Sequence, residues 1–207
     1  MKDPYTQIRE DLTLIRSSKI RPGMFGEESH EYKVNAPLSE KDVSAFERRH
    51  GITLPDEYRN FLLKLGNGGA GPNYGLFRLG EMDDNFSSAP WTSDFVGKLS
   101  DPWPHQAEWN DLAGKPDDEC EDEGQIEAFE NDYWGTNHVT GAFPISHVGC
   151  ALRELLVVTG PERGNVWYDA RADYAGLNPL KDSKGGRLSF FNWYRRWLDE
   201  ALSKLPR

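Results

Sequence analysis

The stretch Leu54-Pro55-Asp56-Glu57-Tyr58-Arg59-Asn60-Phe61-Leu62-Leu63-Lys64-Leu65-Gly66-Asn67-Gly68-Gly69 decides the fold, because it predicts a helix with one buried face followed by a tight turn. Pro55 suits a first helical position, where its missing N–H would have no partner anyway. Asp56 and Glu57 place negative charge at the positive end of the helix dipole. Glycine and asparagine at 66–69 tolerate the left-handed conformation that ends a helix. The apolar residues of the stretch recur at the spacing of a single buried stripe: Tyr58, Phe61, Leu62 and Leu65.

A second helix precedes this stretch, and a third lies near the end of the sequence. Ser39 caps the earlier helix, with Asp42 three residues later in the manner of a capping box, and Gly51 ends it. A short link joins it to Pro55, so we expect these two helices to pack against each other. Ser189 caps the last helix, whose apolar stripe is wide enough to seal one side of a sheet. That stripe consists of Phe190, Trp193, Tyr194, Trp197, Leu198 and Leu202.

Strands are predicted between these helices. Ala151–Thr159 and Val166–Asp169 are rich in β-forming residues and flank a turn at 160–165, which predicts an antiparallel hairpin. Tyr74–Leu79 alternates well enough to predict a further strand, and Phe143–Ile145 marks another return of regular structure. The expected fold is therefore α+β: a single domain whose mostly antiparallel sheet is flanked by the two earlier helices and closed by the C-terminal helix.

The chain divides into two predicted parts. Residues 1–38 form an N-terminal helix, opened by Asp3-Pro4, and an irregular arm, and residues 39–207 form the domain. Within that domain, residues 80 to 140 form an acidic, aromatic insertion in which the regular pattern dissolves. So long a connection is unusual unless it is functional or partly ordered. Its aromatic residues indicate partial packing, and Gln125–Tyr133 is a candidate for a short helix.

The helix pattern Leu-Pro-x-x-Tyr-x-x-Phe-Leu running into Asn-Gly-Gly resembles the signature of the SMI1/KNR4 family, also called the SUKH superfamily. Phe143–Ser146, Gly164–Trp167 and the tryptophan-rich last helix are similar in order and type to the rest of that family, so the resemblance spans roughly Ser39 to Leu202. The resemblance implies an SMI1/KNR4-like interaction domain, most often a bacterial immunity protein that holds a cognate toxin inactive. It does not imply which toxin.

Composition indicates a folded, soluble protein. Of 207 residues, 37% are hydrophobic and 12% aromatic, which argues against disorder and allows a core without disulfide or metal support. No apolar run approaches the roughly 20 residues of a membrane helix, and the N-terminus lacks the pattern of a signal peptide. We therefore expect a cytoplasmic protein in which Cys120 and Cys150 are free thiols, with a disulfide as the less favoured alternative.

The net charge of −10 lies almost entirely in one segment. Residues 111–132 contain ten acids and a single base, Lys115, which gives −9. We call this stretch the acidic segment. Its field repels nucleic-acid phosphates and attracts basic partners, so the charge disfavours a nucleic-acid-binding role and favours a basic protein partner.

Enzymatic and metal sites are not expected. His147 and Cys150 form the best local pair for nucleophilic catalysis, but no full catalytic constellation accompanies them, and a structural role is preferred. The acids of 117–123 lack the spacing of an EF-hand loop, and the five histidines show no zinc-binding spacing. The glycines of 66–71 follow a helix rather than precede one, so they do not form a phosphate-binding loop. The prediction is a binding protein without a cofactor.

The predicted partner-binding surface lies in the insertion. Tryptophans dominate binding hot spots, and acids around them would select a basic partner. The predicted residues are Trp103, Trp109, Asp117, Asp118, Glu119, Glu121, Asp122, Glu123 and Trp134. The open alternative is that the tryptophans belong to the core and the acids only keep the protein in solution. The expected function is inhibition of a toxin by stoichiometric binding, with a regulatory or scaffold domain for endogenous proteins as the alternative.

Overall fold

The computed structural model describes residues 3–84, 87–93, 95–117 and 119–206, and this part of the chain contains six α-helices and two antiparallel sheets. The helices are α1 (Pro4–Ser17), α2 (Glu27–His30), α3 (Glu40–His50), α4 (Asp56–Lys64), α5 (Glu123–Tyr133) and α6 (Phe190–Ser203). The strands are β1 (Glu81–Asp84), β2 (Ser87–Pro90), β3 (Ala142–Gly149), β4 (Leu152–Val157), β5 (Val166–Asp169) and β6 (Leu177–Pro179). Short 3₁₀ turns occupy Thr136–Val139 and Arg171–Asp173. The predicted α+β class is confirmed.

Helix α4 and its turn follow the sequence prediction closely. Pro55 is the N-cap residue rather than the first helical residue, and Tyr58, Phe61 and Leu62 are buried. The turn after α4 brings Gly69 (φ +98°) close to the backbone of Lys33, and a Cβ at position 69 would lie 2.5 Å from the Lys33 carbonyl oxygen. Only glycine fits that approach, which explains the glycines of the family-like motif.

The main core lies between the helices and one face of the sheet of β3–β6. Helix α6 contributes six buried residues, and α1 contributes Ile8, Leu12 and Ile15. A salt bridge between Asp11 and Arg195 joins α1 to α6, and the Tyr5 hydroxyl donates to the Glu57 carbonyl oxygen at 2.8 Å. Helix α1 is therefore built into the main core, while the division of the chain at residue 38 stays a prediction.

The main sheet is a meander with the strand order β3-β4-β5-β6. The predicted hairpin is confirmed, because β4 and β5 pair antiparallel with Leu155 opposite Trp167. Pro144 lies in β3 next to a register shift between Pro144 and Ser146, as expected for a residue that cannot donate to the ladder.

Residues 74–79 do not form the predicted strand. Asn73 and Gly75 have positive φ angles, and these bend the segment so that Leu76 makes only isolated bridges, to Ser146 and to Gly69. Gly69 in turn bridges Val34. A row of single-residue bridges thus continues the sheet beyond β3 where regular strand pairing was expected.

The insertion at 80–140 is more ordered than predicted. Strands β1 and β2 form a hairpin at its start, with residues 85 and 86 between them outside the described part. The candidate helix at Gln125–Tyr133 is confirmed and begins two residues earlier, at Glu123, where the Asp122 side chain accepts from the Gln125 N–H. The insertion therefore contains secondary structure of its own.

Candidate partner-binding face

The helices cover one face of the main sheet, and residues of the insertion cover the other. Leu156 and Val158 enter the main core, whereas Leu155 and Val157, on the opposite face, enter a second core. Because both faces of the sheet are buried, residues 155–158 are apolar at consecutive positions. The second core consists of Trp103, Val139, Ala142, Leu155, Val157, Trp167 and Leu177, with Trp109 packed against it.

Trp103 lies inside the second core. Its side chain is 3% exposed, and its ring meets that of Trp167 edge-on with 5.1 Å between centroids. Trp103 thus has the core position of the alternative interpretation, because this face of the sheet needs an apolar cover, and its place at the border of the partner-binding face stays a prediction. The sequence alone could not separate the two outcomes, since tryptophan is favoured both in cores and in binding hot spots.

Trp109 is half-buried and closes the open edge of β6. Its N–H donates to the Leu177 carbonyl oxygen at 3.0 Å, and its own carbonyl oxygen accepts from the Leu177 N–H at 2.7 Å. Its indole lies between the rings of His138, at 4.2 Å, and Tyr133, at 5.4 Å. Trp109 therefore anchors the insertion to the sheet.

A buried arginine holds the end of helix α5. Arg171 is 5% exposed and pairs with both carboxylate oxygens of Asp169 at 2.9 and 2.8 Å. It also approaches the carbonyl oxygens of Tyr133 and Gly135 at 3.4 Å, at the C-terminal end of α5. A cation there is favourable to the helix dipole, and α5 has no basic residue of its own in its last turn. The position of α5 therefore depends on Arg171.

An aromatic patch lies at the surface beside α5. Trp134 is 37% exposed, and its ring and those of Phe129 and Tyr133 each contact that of Tyr174, with centroids 5.7 to 6.4 Å apart. The Lys115 ammonium lies 4.6 Å above the Tyr174 ring. The single base of the acidic segment thus occupies a cation–π position on this patch.

The predicted acids follow Lys115 in the sequence and are exposed. They are Asp117, Glu119, Glu121, Asp122 and Glu123, while Asp118 lies outside the described residues. Two of them have structural roles as well, because Asp117 accepts from the Glu119 N–H at 3.2 Å and Asp122 caps α5. We call Trp134, Tyr174 and these five acids the acidic face.

Sequence reasoning missed Tyr174, Lys115 and Arg171. Tyr174 is more than 40 residues from α5 in the chain and has a left-handed φ of +54°, which no local pattern indicated. Lys115 was noticed only as a charge. No spacing in the sequence joins Lys115 to Tyr174, which lies 59 residues further along the chain.

Two histidines lie beneath the acidic face. The His105 ring nitrogen Nε2 is 2.9 Å from the His138 carbonyl oxygen, and the His138 Nε2 is 3.1 Å from the Asp132 carbonyl oxygen. Burial lowers the pKa of both imidazoles, and the nearby Arg171 charge lowers both further. Neutral imidazoles are therefore part of the contact between α5 and the sheet.

The other residues considered for chemistry occupy separate places. His147 lies in β3 with its ring 5.4 Å from that of Tyr74, and Cys150 is exposed in the following turn. Cys120 and Cys150 are free thiols. Within residues 3–84, 87–93, 95–117 and 119–206, no group of three or more His, Cys, Asp or Glu side chains is arranged to hold a metal ion.

Comparison with known proteins assigns the chain to a family. In the described residues, no helix is long and apolar enough to cross a membrane. No curated protein and no solved structure matches the chain. The model of the SMI1 / KNR4 family (SUKH-1) matches residues 37–183, which is more than half of the sequence. The chain therefore belongs to the SMI1/KNR4 family (SUKH-1).

Proposed function

We propose that this protein is a cytoplasmic immunity protein that binds a basic toxin domain through the acidic face and holds it inactive in a stoichiometric complex. The SMI1/KNR4 family includes immunity proteins, and its domains generally bind protein partners. In this proposal the protein acts by binding and catalyses no reaction.

The observation that carries the proposal is the concentration of exposed negative charge in one segment of the chain. Residues 111–132 contribute −9 of the total −10, and the predicted acids that are described are exposed. Such a field raises the association rate of a basic partner and rejects acidic ones. The contacts of Arg171 with the Tyr133 and Gly135 carbonyl oxygens hold the end of α5 next to Trp134.

The contact between Lys115 and Tyr174 indicates how a basic side chain would be recognised. An ammonium group at 4.6 Å from the ring is the arrangement that a lysine or arginine of a partner would adopt. In the free protein Lys115 fills that position. A partner side chain would replace it and gain both the cation–π contact and the surrounding charge.

The test is a pull-down of the tagged full chain from the cells that express it naturally, read by mass spectrometry at low and high salt. The Glu119→Gln, Glu121→Gln variant removes two charges from the acidic face without touching the Asp117 turn or the Asp122 cap. Its matched control is Glu28→Gln, Asp56→Asn, which removes two exposed charges elsewhere.

One dominant stoichiometric partner that carries a basic toxin domain, lost at high salt and weakened only by the acidic-face variant, is the expected result. Several substoichiometric endogenous proteins would instead support the alternative function, a regulatory or scaffold domain. Equal binding by both variants would contradict the acidic face as the contact.

A further inference from the structure

A second charged feature, of opposite sign, lies at the end of helix α3. A cleft of about 720 Å³ separates the last turn of α3 from residues 91–93 and 96–100. One wall carries Arg48, Arg49 and His50, and the other carries Lys98. We call this the basic cleft. It is separate from the acidic face, and nothing in the proposed function uses it.

The floor of the basic cleft is apolar and well fixed. Leu99 and Val96 are buried in the main core, and Trp91 packs against Phe46 and Phe143 with centroid distances of 5.8 and 5.2 Å. A Cβ at Gly97 would lie 2.5 Å from the Thr136 carbonyl oxygen, so the backbone at Gly97 is in close contact with the 3₁₀ turn at Thr136–Val139. The cleft is thus an open concavity with an apolar floor and polar walls.

The two arginines of the basic cleft are available to a ligand. The Lys98 ammonium pairs with Asp101 at 2.9 Å, whereas neither Arg48 nor Arg49 forms an ion pair with any acid in the described part of the chain. By contrast, Arg59, Arg171, Arg187 and Arg195 have carboxylate partners. Charges at the last turn of α3 also favour its dipole, but that effect does not require a basic residue on the opposite wall.

We propose that the basic cleft binds a small phosphorylated ligand, with Arg48 and Arg49 holding the phosphate group and Trp91 lining the side on which the rest of the ligand lies. Guanidinium groups bind phosphate oxygens through paired, charge-assisted hydrogen bonds, which suits two of them on one wall. The hydroxyl groups of Thr92, Ser93 and Ser100 line the same cleft and are further hydrogen-bond donors. A concave site with an apolar floor fits a small molecule better than a flat protein surface.

The test is titration of the full chain with inorganic phosphate and with AMP, followed by calorimetry and by the NMR signals of the histidine rings. Both probes are expected to bind, and the shift of the His50 ring signals is expected to exceed that of His147, which lies on a different part of the surface. AMP binding at least about tenfold tighter than phosphate would identify an organic phosphate as the ligand, and equal affinities would identify inorganic phosphate.

The variant Arg48→Gln, Arg49→Gln is expected to weaken binding by at least about tenfold, since two charge-assisted contacts are lost. Its matched control, Arg16→Gln, Lys19→Gln, removes the same charge from exposed positions at and just after the end of α1 and is expected to bind as the wild type does. The proposal would be overturned if neither probe binds at about 10 mM, which is the weakest affinity of interest. Binding that both double variants weaken equally, or a His50 signal that does not move in the wild type, would also overturn it.

Discussion

The two faces of the main sheet are buried by different kinds of contact. On one face, helices α1, α4 and α6 bring stripes of aliphatic and aromatic side chains that recur at helical spacing. On the other face, an irregular part of the chain brings stacked rings, two low-pKa histidines and the buried Arg171. The first face is stabilised by burial of apolar area, whereas the second face also depends on hydrogen bonds and an ion pair that require a specific geometry. We infer that the helix-covered face sets the stability of the fold and the other face sets the position of the acidic face.

Truncation of adjacent residues of β4 gives the largest expected effect and tests this comparison directly. Leu156 faces the main core and Leu155 the second core, and both are buried. Each change to alanine should cost about 2–5 kcal/mol of the free energy of unfolding, from lost burial and the cavity left behind. Leu156→Ala should lower global stability in urea, whereas Leu155→Ala should first lower hydrogen-exchange protection in α5 and around Trp109.

A single cooperative loss of protection in both variants would break the comparison. The two faces would then form one folding unit, in spite of their different chemistry.

A fall in pH is expected to destabilise the main core through protonation of His30. Burial lowers the pKa of His30 from 6.5 to about 4, and its ring packs against Tyr32 and Trp197. Because the folded pKa is below the unfolded one, the unfolded state takes up the proton first as the pH falls. Stability contributed by neutral His30 is therefore lost between pH 6.5 and 4, by about 3 kcal/mol at the acid end.

The measurement is urea unfolding from pH 7 to 4 for the wild type and His30→Phe. The variant should show a flatter profile, and His147→Phe, at a half-buried ring beside Tyr74, is the control. Parallel profiles for the wild type and His30→Phe would contradict the assignment.

Loss of Arg171 should affect the second face alone. Arg171→Met keeps an apolar side chain but leaves Asp169 without its partner and the last carbonyls of α5 without a donor. We expect a loss of about 2–3 kcal/mol and faster hydrogen exchange in α5. Arg163→Met is the matched control, because Arg163 also donates to two carbonyl oxygens, those of Thr53 and Leu54, but is exposed.

An equal effect of the two arginine variants would mean that burial of Arg171 adds nothing to its contribution to the free energy of unfolding. Unchanged exchange in α5 would mean that another contact positions this helix.

The smallest effect is expected at the Lys115–Tyr174 contact. An exposed cation–π pair contributes about 0.5–1 kcal/mol, so Lys115→Gln should scarcely change the unfolding free energy. It should nevertheless raise affinity for a hexa-arginine peptide by a few fold, since it frees the position on Tyr174 and removes one like charge. Lys19→Gln removes the same charge from an exposed position in another part of the chain, so its effect measures the purely electrostatic contribution to the change in affinity.

Tyr174→Leu completes this test by fluorescence anisotropy of the labelled peptide. It should weaken binding while the acids stay in place. If Lys19→Gln and Lys115→Gln raise affinity equally, the ring makes no specific contribution and the acidic face acts by charge alone.

Much of the helix-covered face could be predicted from the sequence. The caps at Ser39 and Ser189 and the stripes of α4 and α6 are local features, in which a residue and its partner lie within one or two turns of each other. The segment 74–79 was the exception, because its alternation was genuine but the positive φ angles of Asn73 and Gly75 depend on the contact with β3.

The second face was the harder one to predict. Trp103, Trp109 and Trp134 look alike in the sequence, yet the first is buried, the second lies between two rings at the edge of β6 and the third is exposed. Their environments are set by partners 24 to 68 residues away in the sequence, such as Tyr133, Trp167 and Leu177, and no periodicity records such separations.

The sequence by itself determined the family, the helices with their caps, the central hairpin and the concentration of negative charge in one segment, because each depends on neighbouring residues or on composition. Only the tertiary structure decided that the insertion is the cover of the second sheet face, that Lys115 lies on Tyr174, and that Arg48, Arg49 and Lys98 share one cleft. These features join residues distant in the chain, and their energies depend on burial and distance, which exist only once the chain has folded.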